Sequence, residues 1–152
     1  MAIHHITGDI LTMNVDCIVN PANPALAPGG GLSGKIHAKY PEVFVQAQAQ
    51  YPLGLHTGEA TGPFATNGQA PAKHVIFTVG PKNISRSRDV LLNAAYNSVF
   101  WSATGTNIRT IAFPLISTGI YGVAENLSEF IFDTLANAWV SKFETIFLVK
   151  FK

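Results

Sequence analysis

A chain of 152 residues with a formal net charge of +1 is long enough for one domain with its own core, and it carries no overall field for nucleic acid. Charged residues make up 12%, about half the usual share, so the surface is either rich in neutral polar side chains or partly covered, as in an oligomer. A lone cysteine excludes an internal disulfide, residues 1–9 lack a signal-peptide core, and no window approaches the roughly 20 apolar residues of a membrane span, so a soluble, cytoplasmic protein without membrane association is expected.

Along the chain, apolar strand-like runs alternate with longer helix-like stretches, the signature of an α/β layered domain. Residues 15–19 read as a short buried strand with Cys17 as a small core residue. Residues 34–50 are helix-compatible, and Pro41 is placed to open a second helix. Residues 58–64 read as extended and residues 66–71 as turns. Residues 74–79 form a buried strand stopped by Gly80-Pro81. Residues 88–103 read as a helix, with Val90, Leu91, Ala94, Ala95, Val99 and Phe100 at helical spacing. A strand is expected over 108–114. Next comes a helix over 125–143, with Leu127, Phe130, Ile131, Leu135, Ala138 and Trp139 on one face, and then a last strand over 145–151. Unbroken apolar strands imply a sheet covered on both faces, and ligands of such sheets bind beyond the carboxyl ends of the strands.

Two loops follow strands at that end. The first, residues 20–31, spells NPANPALAPGGG: eight of its twelve residues are Asn, Pro or Gly, and none is charged. The second is LISTGIYG, residues 115–122. Glycine allows backbone N–H groups close to a ligand, and a following helix adds its positive end, so two such loops make a cradle for a diphosphate. The segment is not a P-loop, because Lys35 is followed by Ile36 rather than Ser or Thr. Nor is it a dinucleotide fingerprint: Gly29 to Gly34 is not at a strand–helix turn, and the next strand ends without an acidic residue. The five histidines have no metal-ligand spacing, and neither metal nor cofactor is expected. Were residues 4 and 5 on a strand, their two histidines would face opposite sides. Ser117 is not flanked as a nucleophile elbow. Trp101 and Trp139, both in helices, read as core or interface.

Taken in order, Gly8-Asp9-Ile10, Val19-Asn20-Pro21-Ala22-Asn23, Gly29 to His37, Pro71 to Ile76, Val79-Gly80-Pro81 and Phe113 to Gly122 resemble a macro domain over nearly the whole chain. The resemblance is nearest to the branch of ADP-ribosyl hydrolases and O-acetyl-ADP-ribose deacetylases. It implies a single domain over residues 1–152, a three-layer α/β/α sandwich with a mixed central sheet, and a partner that is ADP-ribose or an ADP-ribosylated protein. It further implies that Asp9 accepts from the adenine amino group, that Ile10 touches the adenine edge, and that Phe151 stacks on the base. For Asp9 the residues alone leave a turn-capping role open. For Phe151 they leave open a frayed core residue.

Asn23 would hold the distal ribose, since an amide both donates and accepts. Asn20 is expected to bond the loop's backbone. Gly29, Gly30 and Gly31 would approach the distal ribose, with Leu32 also among the ligand-binding residues, while Ser117, Thr118, Gly119, Ile120 and Tyr121 would wrap the diphosphate and Tyr121 would also flank the distal ribose. The resemblance assigns catalysis to Asn23, Gly31, Ser33 and Tyr121. The chain departs from the family pattern at two positions. Ser33 stands where the hydrolases carry an aspartate credited with activating water, and Lys35 stands where they carry alanine. The helix usual after the last strand is also expected to be missing. Three functions are compatible with these residues: hydrolysis of ester-linked mono-ADP-ribose or O-acetyl-ADP-ribose, non-catalytic binding of ADP-ribose or its polymer, and a structural domain whose apolar surface serves oligomerisation.

Overall fold

The computed structural model describes residues 1–151. Strands β1 (Ala2–Thr7), β2 (Cys17–Pro21), β3 (Phe64–Ala65), β4 (His74–Thr78), β5 (Thr110–Phe113) and β6 (Thr145–Lys150) form one sheet in the order β1-β6-β5-β2-β4-β3. Every neighbouring pair is parallel except β3 and β4, so the sheet is mixed. Helices α1 (Gly31–Lys39) and α2 (Pro41–Gln50) cover one face, and α3 (Arg88–Ala103) and α4 (Glu125–Trp139) cover the other. The expected three-layer α/β/α arrangement is what forms.

Side-chain alternation explains why unbroken apolar runs suit this sheet. Cys17, Val19, Ile76, Ile111 and Phe113 join the core under α3 and α4. Ile18, Val75, Phe77 and Ala112, their neighbours in sequence, join the core under α1 and α2. Cys17 is fully buried, and burial pushes its thiol pKa well up, so it serves packing.

β1 is the element the sequence reading omits. It pairs with β6 from Ala2 opposite Thr145 to Thr7 opposite Lys150. As an edge strand it has one neighbour and much solvent exposure, so its composition is mixed and its signal weak. His4 lies 5.7 Å from the Phe147 ring on one face, and His5 lies 6.0 Å from Phe132 on the other. His5 Nε2 is 2.7 Å from Asp133 Oδ1, and its Nδ1 is 3.1 Å from Glu129 Oε2. This His–carboxylate group has ligand atoms close enough to share a cation, which no spacing in the sequence announces. Lys150 Nζ, 2.6 Å from Glu129 Oε1, already supplies positive charge there.

Several boundaries differ from expectation. The strand placed at 15–19 is Cys17–Pro21, because Asp16 turns away to accept from the Arg109 and Thr110 N–H groups at 2.9 and 3.1 Å while β4 pairing continues to Pro21. α1 begins at Gly31, inside the glycine run, and Pro41 opens α2 as expected. Of residues 58–64, Ala60 bridges to Thr78 and only Phe64 joins a strand. α4 stops at Trp139 and tightens into a 3-10 turn over Val140–Lys142.

Of the residues expected on the inner helix faces, Ala95, Val99 and Phe100 of α3 and Ile131 of α4 are buried, and Leu127, Leu135 and Trp139 pack against the core. α3 buries Leu92, Ala95, Tyr96, Val99, Phe100 and Ala103 and leaves Val90 exposed, while α4 buries Ser128, Ile131, Phe132 and Ala136 and leaves Phe130 and Ala138 exposed. α4 has a distinct apolar side while α3 is apolar around most of its girth, so periodicity gives the centre but not the full extent of the inner face. Two buried hydroxyl residues, Tyr96 and Ser128, belong to it. Trp139 is half-buried, while Trp101 stands on the surface against it, ring centroids 6.2 Å apart. No helix among the described residues is long and apolar enough to cross a membrane.

Candidate functional site

Five parallel strands, β1, β2, β4, β5 and β6, end on the same side of the sheet, and a cleft of about 560 Å³ opens there. Its floor contains Pro21, Gly80, Pro114 and Val149, residues at or just beyond strand ends. The loop leading from β2 to α1 forms one wall, and the loop after β5 forms the other.

In the first wall, Asn23 closes the loop on itself. Its Nδ2 donates to the Ala27 carbonyl and its Oδ1 accepts from the Ala27 N–H, both at 3.1 Å. One amide hydrogen and one lone pair remain for a ligand. The backbone role expected of Asn20 therefore falls to Asn23. Asn20 is fully buried in β2 opposite Phe77, on the strand face that Ile18 shares, and neither of its amide atoms has a hydrogen-bond partner. Gly31, with φ at +58°, turns the chain into α1, a backbone conformation that a side chain would strain. The N-cap, Gly30, supplies no side-chain acceptor, so the first-turn N–H groups of α1 keep their positive end open to the cleft, which Gly29, Gly30, Gly31, Leu32 and Ser33 line.

The second wall is anchored from beneath. The Ile116 N–H donates to Tyr96 Oη at 2.9 Å, and Ser128 Oγ donates to the Ile116 carbonyl at 2.8 Å. Tyr96 Oη and Ser128 Oγ are 2.6 Å apart, and with both other groups assigned the phenol hydrogen goes to Ser128. Burial pushes the Tyr96 pKa well up, which keeps that hydrogen in place. Above this anchor Ser117 adopts a left-handed φ of +69°. Gly80 permits it, for a Cβ there would lie 2.1 Å from Ser117 Oγ. The turn closes through Gly122 N–H to the Gly119 carbonyl and Val123 N–H to the Ser117 carbonyl, both 3.0 Å. The N–H groups of Ser117 to Tyr121 donate to no group among the described residues. Thr118 Oγ1 donates to the Leu115 carbonyl, Tyr121 is half-buried, and Ile120 stands fully exposed on the lip.

Comparisons with known proteins agree with this geometry. Residues 19–132 match the family model described as "Macro domain". This chain belongs to the macro domain family. It is 45% identical over 119 residues to an ADP-ribose glycohydrolase of Xenopus laevis, covering 76% of this chain and 28% of that protein. It is 43% identical over 126 residues to an O-acetyl-ADP-ribose deacetylase of Citrobacter rodentium, covering 79% and 70%. Among solved structures, the Oceanobacillus iheyensis macrodomain with ADP superposes with a TM-score of 0.90 at 28% identity, covering 97% of this chain and 82% of that one. The Trypanosoma brucei macrodomain in complex with ADP-ribose gives 0.83 at 27% identity, covering 99% and 64%.

The macro domain brings all but one of the expected site residues to the cleft. Ile10, Asn23, the three glycines, Leu32, Ser33, residues 117–121 and Phe151 line it together. Asp9 stands beside the lining: its Oδ1 accepts from the Leu11 N–H at 2.9 Å and caps the 3-10 turn Ile10–Thr12, so the capping role is real. Ser33 and Ser117 are each 7% exposed, and both hydroxyls lack partners. A buried unpaired hydroxyl is costly unless a ligand or water supplies the missing bond. The residues missed by sequence reasoning are the supports Gly80, Tyr96 and Ser128. A serine on the buried, otherwise apolar side of α4 is the one available signal for them.

Proposed function

We propose that this macro domain binds ADP-ribose in the cleft and hydrolyses the ester joining its distal ribose to an acidic side chain or to acetate. The observation that carries the reading is the pair of facing donor arrays, the open first turn of α1 and the free N–H groups of Ser117 to Tyr121. A diphosphate is the ligand group that many neutral N–H donors hold without a bound counter-charge. The hydrogen and lone pair that Asn23 has left suit the hydroxyls of a ribose diol. The relatives named for ADP-ribose hydrolysis and deacetylation support the same ligand and reaction class.

In the reaction, water adds to the acyl carbon and the ester C–O bond breaks. The ribose oxygen takes up a proton, and a carboxylate and a second proton are released. Ser33 is the chain's polar group on α1 nearest this role. Its hydroxyl can hold a water in line but cannot take its proton at neutral pH. Proton acceptance then falls to the substrate's own phosphate, held by the second wall. The binding-module reading is favoured by this same residue, because the carboxylate of the hydrolase pattern is absent.

Calorimetry with ADP-ribose should give micromolar-scale binding, about −7 to −9 kcal/mol; no heat and no thermal shift at millimolar ligand would reject the reading. Incubation with a mono-ADP-ribosylated protein should release ADP-ribose slowly. Ser33→Asp should raise turnover on the order of 10²-fold, because a carboxylate accepts from the water and stabilises its developing positive charge. The added charge should also weaken ADP-ribose binding. If the wild type releases nothing over hours and Ser33→Asp binds without gaining turnover, the protein is a binding module.

A further inference from the structure

Lys35 and Phe151 stand 116 positions apart in the sequence, yet Lys35 Nζ lies 4.2 Å from the centroid of the Phe151 ring. Both line the cleft, Lys35 from α1 and Phe151 from just beyond β6. A cation this close to an aromatic face is attracted by the ring's quadrupole. The cleft's other lysine, Lys150, is held by Glu129 at 2.6 Å. Lys35 has no carboxylate partner among the described residues, so its charge is available to the ring.

Phe151 is 70% exposed. An exposed ring that must stack on a ligand gives up rotamer freedom on binding, and a group already resting on one face reduces that loss. The ammonium also draws electron density toward itself, which leaves the opposite face better suited to an electron-rich purine. Ile10, buried and lining the same cleft, adds an apolar surface for the base.

We propose that Lys35 is a positioning residue whose ammonium clasps Phe151 across the cleft mouth, so that the braced ring presents its free face to the purine of a bound nucleoside diphosphate ribose. The proposal rests on the ADP-ribose reading and adds a specificity element to it at a position where the hydrolase pattern carries alanine. The competing role for Lys35 is direct attraction of the ligand's phosphates, and the two roles differ in what they require of Phe151.

The test is a double-mutant cycle read by calorimetry. Lys35→Ala should weaken ADP-ribose about three- to tenfold, Lys35→Arg should retain wild-type affinity, and Lys35→Ala should cost nothing further in a Phe151→Leu background. Ribose 5-phosphate, which has a phosphate and no base, should be held equally by wild type and Lys35→Ala. An equal loss in the Phe151→Leu background, an equal loss for ribose 5-phosphate, or no loss at all overturns the proposal. Lys35 is exposed, so these variants fold. The clasp has its own ligand-free readout: the Lys35 ε-methylene protons should be moved upfield by the Phe151 ring current, and the displacement should vanish in Phe151→Leu. Its absence in the wild type overturns the clasp. Its presence in a protein that fails to bind ADP-ribose overturns the functional reading and the base-positioning role while leaving the clasp itself demonstrated.

Discussion

The two walls of the cleft are built on different principles. The loop after β2 is shaped largely by its own groups: Asn23 pairs twice with Ala27 four residues on and the Leu26 N–H reaches the Asn23 carbonyl at 3.0 Å, while Gln48 Nε2 of α2 and the Leu55 N–H brace it at the Leu26 and Pro24 carbonyls. The loop after β5 is held by others. Tyr96 comes from α3, Ser128 from α4 and Gly80 from the end of β4. The side-chain bonds that shape the first wall are therefore mostly its own, with braces from α2 and the segment after it, whereas those under the second come from three distant elements. The second wall, whose free N–H groups are proposed to share the diphosphate, rests on two fully buried hydroxyl side chains.

The sharpest way to break this contrast is Gly80→Ala. The added methyl meets Ser117 Oγ at 2.1 Å and Ile116 Cγ2 at 2.6 Å, so the second wall must shift. A loss of about 3 kcal/mol in denaturant unfolding is expected, with ADP-ribose affinity falling as well. Unchanged affinity would mean that the second wall does not hold the ligand. Tyr96→Phe comes next. It strips the Ile116 N–H of its acceptor and Ser128 of its donor in a buried site, for about 2 kcal/mol, and Tyr96 does not itself line the cleft. Weaker binding in that variant, measured by calorimetry, would show that the support acts through the loop.

Asn23→Ala should cost about 1 kcal/mol of stability, since its two bonds are local and partly exposed. Its effect on ADP-ribose should exceed its effect on stability, because it removes a ligand contact too. A stability loss matching that of Tyr96→Phe would erase the distinction between the walls. Asp9→Ala should be mildest, costing less than about 1 kcal/mol as the loss of an exposed cap. It should weaken ADP-ribose more than ribose 5-phosphate if its carboxylate also serves the base, and equally if it serves only the turn.

The legibility of each part follows the same division. The glycine loops and the strands they follow could be read directly, because turn chemistry and apolar runs are short-range signals. β1 was not, since an edge strand with His4 and His5 facing opposite sides has no continuous pattern. The inner faces of α3 and α4 are legible at their centres but not at their edges, where Val90, Phe130 and Ala138 stay exposed and Tyr96 and Ser128 are buried. The loop-bonding role expected of Asn20 falls to Asn23 because β2 runs on to Pro21, two residues past its expected end, and that holds Asn20 inside the sheet.

Local chemistry thus established the alternation of strands and helices, the two glycine-rich loops at one end of the strands, and the absence of charge in the first of them. These depend on φ preferences and side-chain types within a few residues. What folding added is long-range: Tyr96 and Ser128 meeting at Ile116, Gly80 yielding to Ser117, Lys35 reaching Phe151 across 116 positions. Such contacts depend on which helix face turns inward and which strands become neighbours, and those choices are settled by packing the whole core at once, where no single segment carries the information.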